Sequence, residues 1–103
     1  MNEQETMKPV PPGEILKEEF LVPMGIGHMM FAEHIGMSCW WIDGIVKGHS
    51  QINVRDAHLF SKALGTSVDY WLNLQRHYDK ERTAMDMQFM KRLEDLKPIQ
   101  NKS

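Results

Sequence analysis

Apolar residues recur along this chain at helical spacing instead of alternating, and short turn signals cut the recurrence into segments. Ile15, Leu16 and Phe20 follow Pro11-Pro12-Gly13, and Glu14 suits the positive end of a helix, which predicts a first helix ended by Pro23. Met24 to Gly27 read as a turn into a second helix, His28 to Ile35, stopped by Gly36. Ser38 is an N-cap for a third helix, Cys39 to Lys47, in which Ile42, Ile45 and Val46 form one apolar stripe before Gly48. Asn53 caps a fourth helix through Leu64, with Ala57, Phe60, Ala63 and Leu64 facing inward and Gly65 behind it. Thr66 and Ser67 cap a fifth, where Trp71, Leu74 and Tyr78 share a face. Between Asp79 and Pro98, Met85, Phe89, Leu93 and Leu96 keep helical spacing among charges, which predicts a terminal amphipathic helix. No strand-like alternation or internal repeat interrupts the pattern. The expectation is an all-α domain of five helices over residues 12–78, a flexible leader over 1–11 and a helical extension over 79–103.

Composition narrows what such a domain does. A chain of 103 residues, 42% apolar, has room for one compact core, and small cores are often supplemented by association. The nine methionines suit a core or partner surface that repacks at low cost. A formal net charge of −2 excludes a uniformly basic coat, so any nucleic-acid contact has to come from a local patch. Cys39 is the only cysteine, so no internal disulfide forms. The first ten residues hold no apolar export signal, and no apolar run nears the roughly 20 residues of a membrane span. A cytoplasmic protein without a membrane segment is therefore expected.

The second and third helices carry the candidate chemistry. Two short helices joined by a tight glycine-containing turn meet the physical needs of a helix-turn-helix. Ala32 is small where the helices approach, Gly36 permits a positive-φ turn, and Ile42 and Ile45 turn the apolar face of the third helix back onto the second. Pro12-Gly13-Glu14-Ile15-Leu16-Lys17-Glu18-Glu19-Phe20-Leu21, and Lys62-Ala-Leu-Gly-Thr-Ser followed by Tyr70-Trp-Leu-Asn-Leu-Gln75, resemble the opening and closing motifs of the HigA-type (VapI-like) antidote proteins within the Xre/Cro regulators. The resemblance spans roughly Pro12 to Tyr78 and implies a lambda-repressor-like fold. It also implies a homodimer that represses its own operon and neutralises a RelE-like, mRNA-cleaving toxin.

Carried onto this chain, the family's DNA-facing positions are His28, Ser38, Cys39, Trp40, Trp41, Asp43, Gly44 and Lys47. Several depart from the family's usual residues. Gly27 and His28 stand where Ser or Thr followed by Gln is common, and Cys39, Trp40, Trp41, Asp43 and Gly44 replace small, polar or basic side chains. Between His28 and Asn53 one lysine, Lys47, stands against Glu33 and Asp43, a net charge of −1 before histidines are counted. A second reading therefore stands beside the first: a protein-interaction module on the same scaffold, with Trp40 and Trp41 as an exposed aromatic patch. Trp71, Leu72 and Leu74 suit a simple core, but a helix apolar on more than one side has more surface than a small core covers, so Trp71, Leu72, Leu74 and Tyr78 are assigned to a dimer interface. From Arg76 to the end of the chain seven basic residues are mixed with five acidic ones, which argues against a dedicated phosphate-binding arm. The five histidines and Cys39 do not converge at ligand spacing, so neither a metal, a cofactor nor an enzymatic activity is expected.

Overall fold

A computed structural model describes residues 8–100, and among them every regular element is helical. Helix α1 is α-helical over Pro12–Ile15, π-helical over Leu16–Leu21 and α-helical again over Val22–Met24. It is followed by α2 (His28–Ile35), α3 (Cys39–Val46), α4 (Val54–Leu64), α5 (Val68–Ala84) and α6 (Met87–Asp95).

Three of the predicted boundaries move, each for a local reason. Pro23 does not end α1 but sits in its last turn. The Val22 N–H reaches the Lys17 carbonyl, five residues back, and this wider π turn gives the proline ring space that an α turn lacks. The helix ends two residues later at Gly25, whose φ of 68° allows the Ile26 N–H to close on the Leu21 carbonyl at 2.9 Å. Helix α5 runs without a break through the expected boundary at 78/79 to Ala84. The predicted terminal helix is instead split at Met85 and Asp86, where the Asp86 carboxylate accepts the Phe89 N–H at 3.1 Å and starts α6. Ser67 alone caps α5, accepting the Tyr70 N–H, while the Thr66 hydroxyl, one residue before the cap, accepts the Trp71 indole N–H at 2.6 Å.

The core forms where α1, α2, α3, α4 and α5 converge. Leu16, Leu21, Phe31, Ala32, Ile42, Ile45, Ile52, Ala57, Phe60 and Trp71 are all buried. Trp71 is the hub of the aromatic part, with Phe20, Phe60 and Tyr70 ring centroids 5.0–5.3 Å away. Its zero exposure corrects its assignment to a dimer surface: its apolar area is spent inside the protomer. Leu72 and Leu74 pack on the edge of the core and keep part of their surface, and Tyr78 is half-buried.

Two contacts fix α3 against the rest. At Gly13 a side chain is impossible: a Cβ there would stand 1.8 Å from the Ile45 carbonyl oxygen, so α1 touches the end of α3 backbone to backbone. Pro11, placed in the leader by sequence, packs on Gly48 just beyond α3; leader residues 1–7 lie outside the described residues. Gly13→Ala is expected to lower the unfolding free energy by about 1–3 kcal/mol through overpacking. Gly27→Ala, whose methyl would meet nothing within 4 Å, should cost much less. Urea unfolding of the two variants makes the comparison, and equal stability would show that the α1–α3 contact relaxes freely.

Candidate nucleic-acid interface

Helices α2 and α3 form the expected helix-turn-helix. Gly36 takes φ 75°, and the Met37 N–H bonds back to the Ala32 carbonyl at 2.9 Å while the Gly36 N–H bonds to the Glu33 carbonyl at 3.3 Å. These paired bonds close the C-terminus of α2 and turn the chain within two residues. Ser38 then caps α3, its hydroxyl accepting the Trp41 N–H at 3.1 Å. Ala32, Ile42 and Ile45 are buried between the helices, as their spacing predicts.

The eight proposed contact residues separate into two groups. Three are turned inward. Cys39 packs on the core, and the Trp41 ring lies partly buried with its indole N–H donating to Asp56 Oδ1 at 3.1 Å. Gly44 faces the loop after α3: a Cβ there would lie 3.0 Å from Ser50 Oγ, and its carbonyl accepts the His49 and Ser50 N–H groups. The other five remain on the surface. Ser38 and Lys47 are exposed, Trp40 is 79% exposed, and His28 and Asp43 are joined at mid-face, the imidazole Nδ1 donating to Asp43 Oδ1 at 2.6 Å. Trp40, Asp43 and Lys47 follow at i, i+3 and i+7, so they share the side of α3 opposite Ile42 and Ile45.

Sequence reasoning passes over the residues that hold this face in place. Asp56 is 2% exposed, yet both carboxylate oxygens are used: Oδ1 takes the Trp41 indole N–H and Oδ2 takes the Asn53 N–H at 3.0 Å. Asn53 Oδ1 accepts the Asp56 N–H at 2.8 Å in return, completing a reciprocal cap on α4. The Asn-x-x-Asp spacing carries that signal, and a reading that stops at Asn53 uses half of it. Gln75, buried in α5, accepts the Ile52 N–H at 2.8 Å and donates to Asp79 at 3.0 Å, clamping the loop between α3 and α4. Arg55, exposed at the start of α4, adds a cation just beyond the segment from His28 to Asn53. Among the described residues no three His, Cys, Asp or Glu side chains could hold a metal ion. No helix there is long and apolar enough to cross a membrane.

No protein-family model matches the chain. Individual relatives do. An HTH-type transcriptional regulator of Haemophilus influenzae is 32% identical over 93 residues, covering 90% of this chain and 87% of its own length. Antitoxin HigA-1 of Vibrio cholerae is 33% identical over 90 residues, covering 84% of this chain and 85% of its own. The chain belongs to the HigA-type family of helix-turn-helix antidote proteins. The Pseudomonas aeruginosa antitoxin HigA, solved with the higBA promoter, shares the fold at a TM-score of 0.79 and 28% identity, over 89% of this chain and 99% of that one. HigA-type proteins are regulators and antitoxins, so this chain is non-enzymatic.

In this HigA-type scaffold one buried carboxylate joins α3 to the start of α4. Asp56→Ala is expected to cost about 2–4 kcal/mol, since it leaves the Trp41 indole N–H and the Asn53 N–H without partners and removes half of a cap. Asp56→Asn, which retains one acceptor, should cost less. Thermal unfolding followed by circular dichroism orders the two; indistinguishable melting would mean that Trp41 is held by packing alone.

Proposed function

We propose that this protein is the antitoxin of a HigA-type toxin-antitoxin module and a sequence-specific repressor of its own operon. The observation that carries the reading is the set of outward residues on α3, mounted on a helix-turn-helix whose HigA relative was solved with promoter DNA. The outward side of α3, with Ser38, Trp40, Asp43 and Lys47, enters the major groove; Lys47 and Arg55 meet phosphate, where their charge is most useful. The partner is a RelE-like, mRNA-cleaving toxin, and the working compartment is the cytoplasm. No metal or cofactor enters the scheme.

The active form we propose is a homodimer. Leu72 lines a groove of about 700 Å³ with Ile52, Val54, Arg76, Lys80 and Met90, beside α6, whose Phe89 and Leu93 are each 41% exposed. A nine-residue helix is marginal in water on its own, and its apolar side gains stability from a second protomer. Twofold symmetry then spaces the two α3 helices about 34–36 Å apart, one turn of DNA. Leu93→Glu is expected to move the mass measured by light scattering from dimer toward monomer; an unchanged dimer mass would remove α6 from the interface.

The alternative, a protein-interaction module that has lost DNA binding, is weakened by Trp41. Its ring points at Asp56 instead of joining Trp40, so the two-tryptophan patch that motivates that reading does not form. Fluorescence anisotropy against the upstream DNA of its own gene and against a scrambled duplex, at two salt concentrations, is the direct test. Tighter, salt-sensitive binding to the upstream duplex is expected. Lys47→Glu should weaken binding to all duplexes and reduce the salt slope by about 1. Equal affinity for both duplexes would return the reading to the interaction module.

A further inference from the structure

We propose that Asp43 is a base-reading residue that selects cytosine at one position of each operator half-site, with His28 as the residue that positions its carboxylate. The proposal rests on the operator-binding reading and adds to it a named specificity determinant. Asp43 lies on the outward side of α3 between Trp40 and Lys47, is not the cap of the helix, and has a side chain 41% exposed. Oδ1 accepts from His28 Nδ1 at 2.6 Å; among the described residues Oδ2 accepts no hydrogen bond. The imidazole comes from the neighbouring helix, so it stops the carboxylate from rotating and leaves the Oδ2 edge for another donor.

A carboxylate only accepts hydrogen bonds. In the major groove guanine offers acceptors at N7 and O6, and thymine offers O4, all of which repel it. Adenine donates from N6, but its adjacent N7 is a second acceptor. Cytosine donates from N4 beside a C5–H that carries no lone pair, which makes it the one base whose edge fits an isolated carboxylate oxygen. The usual objection to an acidic residue on such a face is its repulsion by phosphate. Here the His28 donor occupies one of the two oxygens, and Lys47, one turn further along the same side, adds a cation to the face. A merely structural staple between α2 and α3 would have no reason to prefer any base.

The experiment measures anisotropy for the full-length protein on a panel of upstream duplexes in which each base pair of a half-site is replaced in turn. Wild type is expected to lose about tenfold in affinity when one particular cytosine is replaced. Asp43→Asn should transfer the preference at that position to adenine, because an amide pairs with both N6 and N7. Asp43→Ala should abolish preference there without creating another. His28→Ala should flatten discrimination at the same position and leave the remaining positions as in wild type, a pattern that general loss of stability does not produce. The proposal is overturned if Asp43→Asn and Asp43→Ala keep the wild-type base preferences throughout. A wild-type protein that discriminates among no duplexes at all overturns both this proposal and the operator-binding reading, whereas normal discrimination with unchanged variants overturns this proposal alone.

Discussion

The Asp56 carboxylate ties together the parts of this molecule that have to agree. It sits in the first turn of α4, where it completes the cap with Asn53, and it reaches across to the Trp41 indole on α3. A buried acidic group is costly unless its oxygens are occupied, and here both are, by the N–H at the entry to α4 and by an indole N–H of α3. One side chain thereby orients the start of α4 and the roll of α3 together. The outward set of Trp40, Asp43 and Lys47 follows from that roll, because a helix pinned at Trp41, Ile42 and Ile45 has a single side left to present.

The loops extend the same control. Gln75 holds the Ile52 N–H from α5, and Gly44 accepts the N–H groups of His49 and Ser50, so the connection from α3 to α4 is bonded at both ends. A buried glutamine with both its polar atoms bonded specifies one arrangement of that connection where apolar packing alone would tolerate several. The outward side chains of α3 are thereby carried on a support fixed from both α4 and α5.

Most of the helices are legible in the sequence because their signals are local. Ser38, Asn53 and Ser67 cap where their side chains predict, and Gly36 and Gly65 end helices with positive φ. Misreadings arise where the deciding partner is distant or the rule has an exception. Pro23 is a stop signal in an α-helix, and the π turn before it lifts the conflict. Trp40 and Trp41 are adjacent and identical in the sequence; Trp41 flanks the buried Ile42 and Ile45 and is held inward by Asp56, 15 residues further on, while Trp40 is left outside. Trp71 satisfies the spacing of an interface residue and of a core residue equally well. Its aromatic neighbours Phe20, Phe60 and Tyr70, drawn from α1, α4 and α5, decide for the core together with the Thr66 hydroxyl. The His28–Asp43 pair likewise joins positions 15 apart that no local pattern relates.

The bare contact between Gly13 and Ile45 has a mechanical meaning. At most helix crossings interdigitating side chains separate the two main chains. At this crossing no side chain intervenes, and main chain bears directly on main chain. The first turn of α1 cannot move toward α3 without moving the last turn of that helix. The position of the chain's opening helix is in this way tied to that of the helix which carries Trp40, Asp43 and Lys47.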